Sequence, residues 1–181
     1  SRVAGANSPK TGLPTNVVLF PQAVDRSTKP GTSAFGKFHA TGSLSSAYAP
    51  FDPSLNGTAG EMTLAYSRDR LDDRRSLLTA LDRMTREIER SRAIEGNNGI
   101  REQAYRLLTG GMAEAFDLTR EDPRLVDRYD TAPLVRPDAI DKKWKNYNNY
   151  VDNAKSLGKL LLLARRLCDR GAGFVTVTTN F

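Results

Sequence analysis

Reactive side chains are scarce in this sequence: it holds one cysteine, Cys168, and one histidine, His39. A lone cysteine excludes an intramolecular disulfide. A lone histidine cannot build a His-rich metal site or serve a nucleophile unaided, so Ser-His-Asp, Cys-His and zinc-type constellations are nearly closed within the chain. Cys168 falls on an apolar helical face, where a buried, inert thiol is expected. His39 lies among Gly, Phe and Thr and reads as a surface histidine in a loop. Long apolar runs are also missing. The longest, Leu160-Leu161-Leu162-Leu163-Ala164, is far too short to span a bilayer, so no membrane span is expected.

Blocks of one charge sign are almost absent too. The net charge is +6 and the pI about 9.6, a balance that invites a nucleic-acid reading. Most arginines, however, sit beside acids, as in Arg68-Asp69-Arg70-Leu71-Asp72-Asp73-Arg74-Arg75 and Arg86-Glu87-Ile88-Glu89-Arg90. Such mixed runs make solvated, salt-bridged helix faces, which argues against nucleic acid as a partner. The one acid-poor basic cluster is Lys142-Lys143-Trp144-Lys145.

What is present fits a globular chain with a core: 39% of residues are hydrophobic and 27% charged, in a length suited to one domain. Val17-Val18-Leu19-Phe20, stopped by Pro21, reads as a buried strand of a parallel sheet. Residues 21–66 are rich in Gly, Ser, Thr, Pro and Ala without a steady period. They read as a long ordered loop anchored by Tyr48, Pro50 and Phe51, whose stretch 31–58 could cover a cleft or be a plain surface connection. A helix is expected over about 72–91, capped by Asp72 or Asp73, with Leu77, Leu81, Met84 and Ile88 on its inner face and Leu78 widening the stripe. Gly96-Asn97-Asn98-Gly99 ends it. A second helix over about 100–108 is expected, with Ile100, Ala104, Leu107 and Leu108 on one side. Helical turns follow at 112–116 and 123–129, the latter opened by Asp122 and Pro123. Residues 131–150 read as an insertion that packs Trp144 and its tyrosines onto the domain; lysines interleaved with aromatics could alternatively stack bases. A helix over about 151–169 is expected to turn Leu157, Leu160, Leu161, Ala164, Leu167 and Cys168 inward. Gly171 closes it before a strand over about 174–179.

These pieces make one partial domain of α/β class. Residues 1–66 supply a strand and loop region, 67–130 a helical region, 131–150 the insertion and 151–181 a helix–strand unit. The chain opens on Ser1 without a signal-peptide layout and closes on a β-rich run at the second half of a βαβ-like unit. It therefore reads as an internal piece of a larger polypeptide, whose remainder would be its first partner.

Several stretches resemble an uncharacterised sulfatase-like family, a domain of unknown function within the alkaline-phosphatase superfamily. Leu71-Asp72-Asp73-Arg74-Arg75-Ser76-Leu77-Leu78 is similar to its long-helix signature. Ala115-Phe116-Asp117-Leu118-Thr119-Arg120-Glu121, followed by Arg128-Tyr129, is similar to its "AFDLSRE" segment. Leu161-Leu162-Leu163-Ala164-Arg165-Arg166-Leu167, with Gly171 and Phe174-Val175-Thr176-Val177, is similar to "LLARRL…G…FVTV". Leu13-Pro14-Thr15-Asn16-Val17-Val18-Leu19 and Ala47-Tyr48-Ala49-Pro50-Phe51 also fit. Two departures stand out: an extra stretch between Tyr129 and the last helix, and Lys159 after Gly158 where the family usually has Gln.

The resemblance implies a fragment of an alkaline-phosphatase- or sulfatase-like sheet with flanking helices, largely helical in its middle. It implies a parent that hydrolyses phosphate or sulfate esters with divalent metal, whose ligands lie in a Gly-Gly-Pro-Ser-type turn, a Trp-Asp-x-His segment and an Arg-Asp-His segment. None of these occurs between Ser1 and Phe181, so no catalytic, cofactor-binding or metal-ligating residue is assigned here and this chain alone is expected to be inactive. Thr178, Thr179 and Asn180 would stand at the strand's carboxyl edge beside the site, or be ordinary strand residues. A non-catalytic scaffold binding a polyanionic glycan or a partner is the second expectation. Family members often look exported; the residues themselves leave the location open.

Overall fold

The computed structural model describes residues 5–29, 41, 43, 48–54, 68–88, 105 and 111–179. The apolar run near the start forms β1, Asn16–Leu19, and the Val/Thr-rich run near the end forms β2, Phe174–Val177. The two strands pair in parallel, with Val17 opposite Val175 and Leu19 opposite Val177. On its other side β1 meets Phe51 in a single parallel bridge: the Phe51 N–H donates to the Asn16 carbonyl and the Val18 N–H to the Phe51 carbonyl, each at 2.9 Å. β1 is thus flanked on both sides, and Val17, Val18 and Leu19 are fully buried, as a continuous apolar strand of a parallel sheet demands. Both strands stop slightly sooner than the sequence suggests, at Leu19 and Val177.

Four α-helices are described: α1 Arg68–Ile88, α2 Met112–Phe116, α3 Pro123–Arg128 and α4 Tyr147–Asp169. The expected cap at α3 is present, with Asp122 Oδ1 accepting from the Arg124 N–H at 2.9 Å. Helix α4 ends where Gly171 indicates, in a Schellman turn: the Gly171 N–H donates to the Cys168 carbonyl and the Ala172 N–H to the Leu167 carbonyl. Gly171 has φ +104°, a conformation other residues avoid.

Three expectations are corrected. Helix α1 begins at Arg68, so Asp72 and Asp73 lie inside it and cap nothing; instead Asp72 accepts a hydrogen bond from the Tyr105 hydroxyl, and the Arg75 guanidinium lies 4.3 Å over the Tyr105 ring. Leu77, expected to face inward, is 62% exposed, and Leu78 is exposed beside it. The side chains of Leu81, Met84 and Ile88, the 89–104 segment, the rest of the expected 100–108 helix, His39 and most of loop 31–58 lie outside the described residues. Helix α4 starts a turn early, at Tyr147, and is rotated from the expected face: Leu160, Leu162, Leu163 and Leu167 are buried, whereas Leu157, Leu161 and Cys168 are exposed. With Leu at 157 and 160–163, both faces satisfied helical periodicity, and the partners of α4 decide between them.

The core joins Leu13, Val17, Leu19, Met112, Ala115, Leu160, Leu163, Leu167 and Ala172. Each fully buried leucine contributes roughly 2 kcal/mol relative to exposure. Phe51 packs against this core with its ring 5.9 Å from that of Phe116, so the expected anchor of the preceding loop is in place.

One crossing fixes the height of α4. The segment 129–131 lies so close to Gly158 that a Cβ there would stand 1.7 Å from the Tyr129 carbonyl oxygen. Thr131 Oγ1 accepts from the Gly158 N–H at 3.2 Å and donates to the Ala154 carbonyl at 2.8 Å, inserting its hydroxyl beside a rung of the helix ladder. Lys159 meets Asp130 at 3.4 Å at the same crossing.

Candidate functional site

Parallel strands β1 and β2 and the bridge residue Phe51 all end at one edge, the edge beyond which open α/β sheets bind ligands. Thr178 and Thr179 stand there, half-buried, and the Thr178 N–H donates to the Leu19 carbonyl at 2.8 Å. The backbone of Thr178 thus extends the pairing with β1 by one bond. Asn180 lies outside the described residues.

The structure adds Asp52, which the sequence reading passed over. It follows Phe51 and so steps past the bridge in the carboxyl direction. Asp52 is buried, with Oδ1 accepting from the Ser54 N–H at 2.8 Å, and Ser54 Oγ is buried with no partner among the described residues. The signal was available: Asp-Pro-Ser directly after an apolar anchor is the composition of an Asx turn.

Helix α4 returns to β2 through the short turn at 170–173, so the two run in opposite directions and the N-terminal half of α4 rises beyond the carboxyl edge. That half buries polar side chains, Asn149, Asn153 and Ser156, where the C-terminal half buries leucines. Asn149 Oδ1 and Ser156 Oγ find no partner among the described residues.

Behind the sheet, two of the resembling motifs meet. Arg166 of α4 is only 7% exposed. Its Nε donates to the Ala115 carbonyl at 3.0 Å, its Nη2 to the Glu114 carbonyl at 2.9 Å, and its Nη1 to the Glu121 carboxylate. The five-residue helix α2 leaves its last carbonyls without helical N–H donors, and Arg166 donates to two of them. Burial, followed by repulsion from Arg170, pulls the guanidinium below its ordinary pKa.

Asp117 opens the turn that follows α2. Its Oδ1 accepts from the Thr119 hydroxyl at 2.6 Å and from the Thr119 N–H at 3.0 Å, and these bonds, the hydroxyl first, hold its carboxyl below the usual value. A depressed folded-state pKa adds stability above the unfolded value of about 3.9, lost as the pH falls through the lower folded value. Asp117→Asn is therefore expected to leave stability less sensitive to pH below about 4. Parallel urea titrations of both proteins over that range check it; coincident pH profiles would count against the role.

Among the described residues, no group of three or more His, Cys, Asp or Glu side chains could hold a metal ion, and no helix is long and apolar enough to cross a membrane. The family described as "Protein of unknown function (DUF1501)" matches residues 3–181. Searches of curated proteins and of solved structures gave no match.

Proposed function

This chain belongs to the DUF1501 family, and we propose that it supplies sheet scaffold and one rim of the site of a metal-dependent phosphate or sulfate ester hydrolase of alkaline-phosphatase type. The observation that supports the reading is the way separate motifs come together. The Leu13–Leu19 stretch and the "FVTV" stretch pair strand to strand, and the "AFDLTRE" and "LLARRL" stretches are joined through Arg166. Their shared carboxyl edge, with Thr178 and Asp52, is where such a sheet would receive an ester.

The described residues do not by themselves fit a divalent metal. Metal ligands belong, on this reading, to other residues of the complete enzyme. A bound metal would polarise the ester oxygens and activate the nucleophile. The contribution of this chain is positional: β1 and β2 fix the edge, and Arg166 fixes the α2 segment behind it.

The test compares this chain with a longer polypeptide that contains it, each analysed for bound metal and assayed on aryl phosphate and aryl sulfate. Metal and turnover in the longer protein alone support the proposal. Neither metal nor turnover in the longer protein overturns it and leaves the non-catalytic scaffold, binding a glycan or a protein partner.

A further inference from the structure

We propose that Trp144 and the lysines around it form a binding platform for an acidic polysaccharide, a chain of sugar rings carrying carboxylate or sulfate groups. The expected packing of Trp144 onto the domain is not what the structure holds. The indole is 56% exposed and, among the described residues, its one ring contact is with Tyr150, the ring centroids 5.4 Å apart and the planes at 65°. It is nonetheless well positioned. The Trp144 N–H donates to the Asp141 carbonyl, the Lys143 N–H to Asp141 Oδ1, and the Tyr147 N–H to the Trp144 carbonyl. Tyr147, three residues on, is tied by its hydroxyl to the Pro137 carbonyl at 3.1 Å. A large ring held in a fixed turn yet left in water keeps the free energy of covering it for a ligand.

Lysines outnumber carboxylates around the ring. Lys142, Lys143 and Lys145 are exposed and form no ion pair among the described residues, and the first turn of α4 holds no acid. Of the nearby carboxylates, Asp138 pairs with Arg136 at 3.7 Å and Asp141 is occupied by the turn. An exposed apolar ring with exposed lysines next to it on both sides in the chain matches a sugar, whose C–H face would lie on the indole while its anionic groups meet the lysines. Single-stranded nucleic acid matches less well. It needs successive stacking platforms, and here Tyr147 and Tyr150 are half-buried, leaving one open ring.

Trp144 is the only tryptophan in the chain, so its emission reports on this patch alone. The complete chain, in EDTA, would be titrated with heparin, polygalacturonate, neutral dextran and a single-stranded DNA oligonucleotide. Saturable emission changes are expected with either or both acidic polysaccharides and not with dextran, the comparison separating sulfate from carboxylate recognition. Lys142→Gln/Lys143→Gln/Lys145→Gln keeps the reporter and should weaken binding about tenfold or more. By calorimetry Trp144→Ala should weaken it about as much, while Trp144→Phe retains most of it. No saturable change, equal response to dextran, DNA binding as tight as either polysaccharide, or an unaffected triple lysine variant would overturn the proposal. Because EDTA is present throughout, failure of ester hydrolysis leaves this result standing, and the converse holds.

Discussion

Gly158→Ala is expected to destabilise the protein by about 3 kcal/mol or more, although alanine is the better helix former by about 1 kcal/mol. The added Cβ would meet the Tyr129 carbonyl oxygen at 1.7 Å, its carbon at 2.8 Å and Thr131 Cγ2 at 2.9 Å. The first two are backbone atoms, so no side-chain rotation relieves the clash. Either α4 rises or the 129–131 segment is pushed off. Both movements break the Thr131 bonds to Ala154 and Gly158 and separate Lys159 from Asp130. Urea unfolding of the two proteins decides the matter; a difference under about 1 kcal/mol would show that the crossing yields easily. Gly158 thus has a physical reason in this fold, and Lys159 beside it finds Asp130, a partly exposed pair that adds little by itself.

Arg166→Met should cost about 3–5 kcal/mol, the range for removing one partner from a buried charged network. The variant leaves the Glu121 carboxylate and the carbonyls of Glu114 and Ala115 without their donor, while the methionine fills much of the volume. Arg166→Lys should fall between, because an ammonium keeps the charge but cannot reproduce a fork that reaches three acceptors. Adding Glu121→Gln to Arg166→Met should recover part of the loss, a non-additivity that a double-mutant cycle reads directly. If Arg166→Met unfolds at the urea concentration of the parent protein, the clamp is dispensable and α2 is held by Met112 and Ala115 alone.

Features written in local chemistry were readable along the chain. A short uninterrupted Val-Val-Leu-Phe run stopped by Pro21 fits a strand covered on both faces; Asp122 before Pro123, and Gly171 after α4, are caps whose geometry needs no distant partner. The rotation of α4 was not readable. Leucines at 157 and 160–163 satisfy two faces equally, and the choice falls to Arg166, which must reach Glu121, and to Gly158, which must admit Tyr129. The same dependence on distant partners hid Asp52. Its turn is local, but its position at the sheet edge follows from Phe51 pairing with a strand far earlier in the chain. Trp144 shows the reverse error. Aromatics in a polar tract suggested packing, whereas the short turns of that tract hold the ring outward.

Strand β1 has consequences in time as well as space. Its parallel partner β2 lies about 155 positions downstream, so at roughly 5–20 residues per second the ribosome takes on the order of ten to thirty seconds to supply it. Throughout that interval Val17–Phe20 is a short, uncharged, aggregation-prone ribbon with no sheet to enter. Pro21, which can donate no backbone hydrogen bond, borders the ribbon on its carboxyl side and blocks its extension into a longer intermolecular ladder. The residue that opens the turn after β1 in the finished fold also guards the strand while the fold is being made.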